Sequence, residues 1–431
     1  MNKILKNDYF LSLCSKVLVM FFGFISLIFL NRFLGPDLKG EYSSILNYVM
    51  IISAVLQFGT PAIYPRFKRK KIYNCYEVFI SLAFLQFLVY ALCAIVLLII
   101  FNFNMSVVAV CAISVVAVLA AQLRYINMVE NMARNTVFVF IMSLCNCILT
   151  FLAFLFLDKD LVAAFVIYIV KDLTMVLLYV IKTDFKKLFK KQYIEYYWPI
   201  LKEGILPMLS GLLIMLNYKL DIIMLDAYSV DFSAIGIYSL GLSIAEYAWV
   251  IPDIFKDVVQ KRTAKDNSIG TVNFSLRCSS SFVIAAFIII AILNKWLFVI
   301  LFGEDFADAY YITMILFFGV YSIVFYKIIG QLFISDGKAR QYFTILLFGV
   351  IANVVINSAI IPVWGIYGAA IASVVSYALV GVVFLMLYLK YYNVRPSEIL
   401  LIKKRDIIKM KKMVMRKSHL ESYDKTFEET P

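Results

Sequence analysis

Apolar runs of about twenty residues recur along almost all of this 431-residue chain, and no other feature constrains its fold as strongly. As a helix rising about 1.5 Å per residue, such a run crosses roughly 30 Å of hydrocarbon. Backbone N–H and C=O groups in lipid must be paired within the chain, which leaves only helices and closed barrels. Barrel strands alternate apolar and polar residues, whereas these runs are continuously apolar. The reading is an all-α membrane protein. About twelve transmembrane helices fit, near 10–31, 42–65, 77–101, 105–127, 136–157, 161–181, 204–225, 233–255, 275–301, 310–334, 341–361 and 366–391. Composition agrees, at 63% hydrophobic and 16% charged; soluble domains run near 45–50% and about 25%. The first run, from Phe10 to Leu30, lacks a small-residue cleavage site behind it and is read as a retained span.

Basic residues orient the spans. With the N-terminus inside, Lys3, Lys6, Arg66, Lys68 to Lys71, Arg124, Arg134, the lysines between Lys182 and Lys202, Lys338, Arg340 and the tail cations all fall on the inner side. The outer segments hold only Arg32, Lys39 and Lys159 among cations, with acids such as Glu41, Asp158, Asp226 and Asp308. Every alternate loop obeys the positive-inside rule, and both termini come out cytoplasmic in a plasma (inner) membrane. The net charge of +13 thus follows topology. A nucleic-acid-binding surface, which would gather cations on one face, is excluded as a partner site. Membrane lipids are the expected neighbours, and the basic tail suits anionic headgroups.

The longest inner segment divides the spans six and six. The expected organisation is a first six-helix bundle over 1–181, a cytoplasmic linker over 182–203, a second bundle over 204–391 and a basic tail over 392–431. Parallel stretches occur in the two halves: Gly40-Glu41-Tyr42-Ser43 after span one, and Gly236-Ile237-Tyr238-Ser239 after span seven. Two pseudo-symmetric bundles of like orientation, with a central cavity holding the substrate, form a known transporter plan.

Ionisable residues inside the runs mark candidate sites, because charge in hydrocarbon is costly and faces a partner or water. Lys16, Lys171, Lys219 and Lys327 are read as cationic walls of a cavity that holds an anionic group such as a pyrophosphate. Asp221 and Glu246 are read as binders of a coupling Na⁺ or proton. The alternative for each residue is a buried ion pair that fixes helix register. Pro207 interrupts span seven and is either a hinge or a static bend. The seven cysteines show no metal-ligand spacing and the single histidine, His419, lies in the tail, so no metal or other cofactor is expected. No phosphate-binding loop for ATP occurs, which leaves an ion gradient, the membrane potential or the substrate gradient as the energy source.

Several ordered stretches resemble one family. They are Arg32-Phe33-Leu34-Gly35-Pro36 with Gly40 to Ser43 and Phe58-Gly59-Thr60-Pro61; Gly204-Ile205-Leu206-Pro207 through Leu220-Asp221 to Gly236 to Ser239; Leu301-Phe302-Gly303-Glu304; and Asn353, Asn357 and Ile361-Pro362-Val363-Trp364-Gly365. The chain resembles the polysaccharide-biosynthesis flippases that handle O-antigen and capsule repeat units, within the multidrug/oligosaccharidyl-lipid/polysaccharide exporter superfamily. The resemblance implies alternating access, a lipid-linked oligosaccharide on undecaprenyl pyrophosphate as cargo, no enzymatic chemistry, and a polysaccharide polymerase as a downstream partner. The other readings are a multidrug or cell-wall-precursor exporter of the same superfamily, and a membrane glycan polymerase or ligase.

Overall fold

A computed structural model describes residues 2–70, 74–181, 183–263, 269–404 and 406. Its helices are α1 (Asn2–Leu56), α2 (Thr60–Arg69), α3 (Cys75–Ile100), α4 (Met105–Glu130), α5 (Met132–Phe156), α6 (Leu161–Val180), α7 (Ile194–Ala227), α8 (Phe232–Ala248), α9 (Val250–Thr263), α10 (Ile269–Phe302), α11 (Ala309–Ser335) and α12 (Ala339–Tyr392). No strand occurs among the described residues. Polar side chains set several starts. Asn104 accepts from the Ser106 N–H before α4, Asn131 from Arg134 before α5, and Asp160 from Val162 and Ala163 before α6. Each satisfies backbone donors that a helix start leaves unpaired.

Among the described residues, ten helical runs are long and apolar enough to cross a membrane. Two are double. α1 has 55 residues and α12 has 54; straight, each would extend about 80 Å, far beyond the hydrocarbon core. α1 breaks at Gly35, whose φ of 71° and ψ of 175° leave the helix, with Pro36 next. α12 breaks at Gly365, with φ 52° and ψ −129°. There the chain doubles back, because a Cβ on Gly368 would lie 2.8 Å from the Ile360 carbonyl oxygen. Eight residues of straight helix would hold those positions about 12 Å apart. Ten runs with two of them doubled are consistent with about twelve spans.

Several boundaries differ from the sequence reading, and the span expected over 42–65 is interrupted between α1 and α2. α7 begins at Ile194 rather than near 204 and carries both Pro199 and Pro207 without leaving the helix. The eighth span is divided at Trp249, because Pro252 has no N–H to reach the Ala248 carbonyl four residues back. The ninth bends at Asn294, which has φ 55° and ψ −174°.

The chain forms two compact units. One comprises Met1–Leu240, Lys295–Tyr310 and Asn357–Ala369; the other comprises Gly241–Asn294, Tyr311–Ile356 and Ala370–Pro431. The first contains two apolar clusters. Tyr64, Phe79, Leu123, Tyr179 and Tyr193 centre one; Phe33, Leu34, Tyr42, Ile113 and Phe165 centre the other. In lipid, contact of this kind holds helices through close packing rather than water exclusion. The two matching glycine motifs also meet in this unit. A Cβ on Gly40 would fall 1.8 Å from the Phe232 carbonyl oxygen, and one on Gly236 would fall 2.0 Å from that of Pro36. Ser43 Oγ donates to Ser239 Oγ at 3.0 Å. Each motif therefore touches the other at equivalent positions, the reciprocity expected where two related segments pack about a pseudo-twofold axis.

In the second unit, the segment after α12 docks on α10. The Arg277 guanidinium donates to both Asp406 carboxylate oxygens at 2.6 Å, and the Ile402 N–H donates to Ser281 Oγ. Ile399 is fully buried. Charge alone makes this stretch read as loosely ordered tail, but its single buried carboxylate neutralises a buried arginine and fixes it.

Candidate functional site

Ionisable side chains inside the helices fall into three settings. The first is a cavity of about 260 Å³ within the first unit, lined from α1, α4, α5, α6 and α7. Lys171, Asp172 and Tyr168 of α6 face it, with Arg124 of α4, Ser53 and Gln57. Lys171 Nζ stands 3.4 Å from the centre of the Tyr168 ring and 3.5 Å from Asp172 Oδ1. The separation from Asp172 is long for a charge-assisted bond, which runs near 2.7–2.9 Å. Sequence-adjacent residues point apart on a helix, so this carboxylate reaches its neighbour only obliquely. The ammonium is thus partly neutralised, supported on an aromatic face worth roughly 0.5–2 kcal/mol, and open to the cavity. Arg124 adds a second cation to the same wall. By charge pattern Arg124 reads only as a topology marker; its place one turn and a half before the end of α4, on the face carrying Ala117, Ala120 and Ala121, is the signal that puts it here.

The second setting is the sealed carboxylate of Asp221 on α7, with no exposed surface. Tyr238 Oη donates to its Oδ2 at 2.8 Å, and Asn357 Nδ2 donates to its Oδ1 at 2.9 Å. Asn217, one turn earlier on α7, is also buried, and its Oδ1 has no hydrogen-bond partner. A buried carboxylate beside an unpartnered amide oxygen supplies hard oxygen atoms of the kind that suit a small cation or a bound proton. Tyr238 and Asn357 both lie in the stretches that carried the family resemblance, although neither stood out alone as a site residue.

The third setting is in the second unit. Lys327 Nζ on α11 donates to Asp253 Oδ2 at 2.8 Å and lies 5.2 Å from the Trp249 ring centre. Lys256 also reaches Asp253, at 3.3 Å. Lys327 is thus locked into a pair with a residue that the apolar pattern does not mark, one position after the helix-breaking Pro252. Glu246, half-buried, lies near the end of α8, and Asp253 lies in the first turn of α9. Lys219 is half-buried on α7, and Pro207 lies within that same helix with no departure from helical geometry. Lys16 is in α1, and its side chain lies outside the described residues. Of the expected residues, the first unit holds Lys171, Lys219 and Asp221, and the second holds Lys327 and Glu246. No cluster of metal-binding side chains occurs among the described residues.

Long apolar helices that bury lysine, arginine and carboxylate among themselves mark a multi-pass membrane protein. The family model described as polysaccharide biosynthesis protein matches residues 5–252, more than half of the chain. The protein belongs to that family. A search of curated protein sequences finds no match. Solved structures share the fold. A lipid II flippase, MurJ, in an inward closed conformation superposes with a TM-score of 0.69 at 12% identity, covering 88% of this chain and 87% of its own. A multidrug resistance MATE family transporter of the MOP superfamily, inward-facing, gives 0.65 at 12% identity, covering 87% and 95%. The MATE multidrug transporter DinF-BH gives 0.63 at 16% identity, covering 94% and 97%. The fold is therefore that of flippases and transporters of this superfamily.

Proposed function

We propose that this protein flips undecaprenyl-pyrophosphate-linked oligosaccharide repeat units across the plasma (inner) membrane by alternating access, for O-antigen, capsule or exopolysaccharide synthesis. The observation that carries this reading is the cavity that joins Lys171 and Arg124 in a chain of the polysaccharide biosynthesis family. Two cations with spare hydrogen-bonding capacity suit a pyrophosphate, and each charge-assisted bond is worth about 1.5–3 kcal/mol. Lys16, Lys219 and Lys327 extend the cationic set along other helices. Asp221 takes the coupling Na⁺ or proton, with Asn217, Asn357 and Tyr238 around it, and Glu246 is the second coupling group. Pro207, which cannot donate to the helical ladder of α7, is the hinge position. Both termini face the cytoplasm, and a polysaccharide polymerase takes up the flipped unit.

Proteoliposomes loaded with a defined undecaprenyl-pyrophosphate oligosaccharide test the reading. Lys171→Ala and Arg124→Ala should each slow flipping about tenfold or more, while inserting like the parent. Parental flipping by Lys171→Ala, Arg124→Ala, Lys219→Ala and Lys327→Ala alike would refute the cationic-cavity reading. Asp221→Asn and Glu246→Gln should weaken the response to an imposed ion gradient; an undiminished response in both removes coupling from these residues. A second reading, export of a cell-wall precursor, draws on the fold likeness to the lipid II flippase. The same vesicles loaded with lipid II separate the two, because the preferred cargo flips faster.

A further inference from the structure

A second cavity in the first unit has the opposite charge character. It encloses about 730 Å³ and is lined by one face of α1 from Glu41 to Leu56, by α3 between Val89 and Leu97, and by the first turns of α4. Its walls are overwhelmingly apolar, and its only ionisable acids are Glu41 and Asp226, near the ends of helices that the distribution of basic residues places outermost. No lysine or arginine lines it. Tyr48 Oη donates to Asp226 Oδ2 at 3.0 Å, which holds that carboxylate in place. Two buried serines, Ser44 and Ser114, contribute to the wall as well.

The geometry points to a binding site for a bilayer-borne amphiphile with an ammonium head: the hydrocarbon chain lies between α1, α3 and α4, and the head sits between Glu41 and Asp226. Charge complementarity selects the occupant. A phosphate- or sulfate-headed chain would meet two carboxylates and no cation, at a like-charge cost that a positive head turns into attraction. An uncharged chain would gain the apolar contact alone. The site is distinct from the Lys171 cavity, since the two open on different faces of α1: Ser44, Tyr48 and Ile52 line one, and Val49, Met50 and Ser53 line the other. It does not depend on the cargo proposed for that cavity.

Two free cysteines in the wall, Cys93 and Cys111, make the test direct. Full-length protein in a neutral maltoside detergent is treated with a small neutral thiol reagent, and modification of each cysteine is read by peptide mass spectrometry. Dodecyltrimethylammonium should protect Cys93 at a concentration at least tenfold below that needed with dodecyl sulfate. The double variant Glu41→Gln with Asp226→Asn should erase that preference. Cys278, which is fully buried, remains unmodified in a folded sample and reports on integrity. Equal protection by the two head groups, no protection by either, or a preference that survives the double variant would each overturn the assignment.

Discussion

Lys171 and Arg277 are both cations on membrane helices, yet their surroundings are opposite. Arg277 in the second unit is bidentate to Asp406, with both side chains no more than 4% exposed. Lys171 in the first unit has a carboxylate at 3.5 Å, a ring beneath it and a cavity in front of it. The arginine directs three of its five N–H donors into the protein, since it also donates to the Glu398 carbonyl oxygen, and it is buried with its counter-charge. The lysine has most of its capacity left. Buried charge therefore divides by geometry into charge that builds the protein and charge that awaits something.

Substitutions can break that contrast, and the largest effect is expected at the arginine. Arg277→Met strands Asp406 as an uncompensated buried charge and should cost about 3–5 kcal/mol of stability. Reversible unfolding in mixed micelles measures it, and adding Asp406→Leu should recover most of the loss, because an apolar pair of similar volume often replaces a buried ion pair at little cost. Failure of the double variant to recover would mean that Asp406 acts through more than Arg277. At Lys171 the effect should move from stability to ligand. Lys171→Met should lower affinity for a pyrophosphate-headed lipid by about 1.5–3 kcal/mol with unfolding little changed; an unfolding loss as large as that of Arg277→Met would cancel the distinction. Lys327 belongs between the two. Its own side chain is 9% exposed, but Asp253 is 41% exposed and keeps Lys256 nearby, so Lys327→Met should cost about 1 kcal/mol by the same unfolding measurement. Least affected should be Arg66→Ala. It breaks a 3.1 Å pair to Glu203 whose arginine is 60% exposed, worth about 0–1 kcal/mol and diminished by salt.

The contrast also shows what a sequence makes visible. Spans, their breaks and the matched glycine motifs are local properties: hydropathy reveals the helices, and Gly35-Pro36 and Pro362 to Gly365 announce the reversals. The ionisable residues within spans are equally plain. Their partners are not, because pairing is a long-range property. Asp406 is 129 residues from Arg277, and Asn357 is 136 from Asp221. A carboxylate in a basic tail reads as solvated until the fold places an arginine beneath it. Nor does periodicity separate Lys171 from Lys327, since both are single cations in apolar helices. Only the 2.8 Å contact to Asp253, beside a proline-induced helix break, tells them apart. Arg124 was hidden for a different reason, since a cation near a span end satisfies the topology rule before any cavity is considered.

The sharp reversal at Gly365 has a consequence for how α12 can move. With Gly368 pressed against Ile360, the two halves of α12 are joined by almost no intervening chain. With so short a connection, neither half can shift far along the membrane normal without drawing the other with it, so the two behave as one hairpin. A peptide tag spliced in at that bend would therefore disturb the hairpin itself, by forcing apart two segments that the turn holds together.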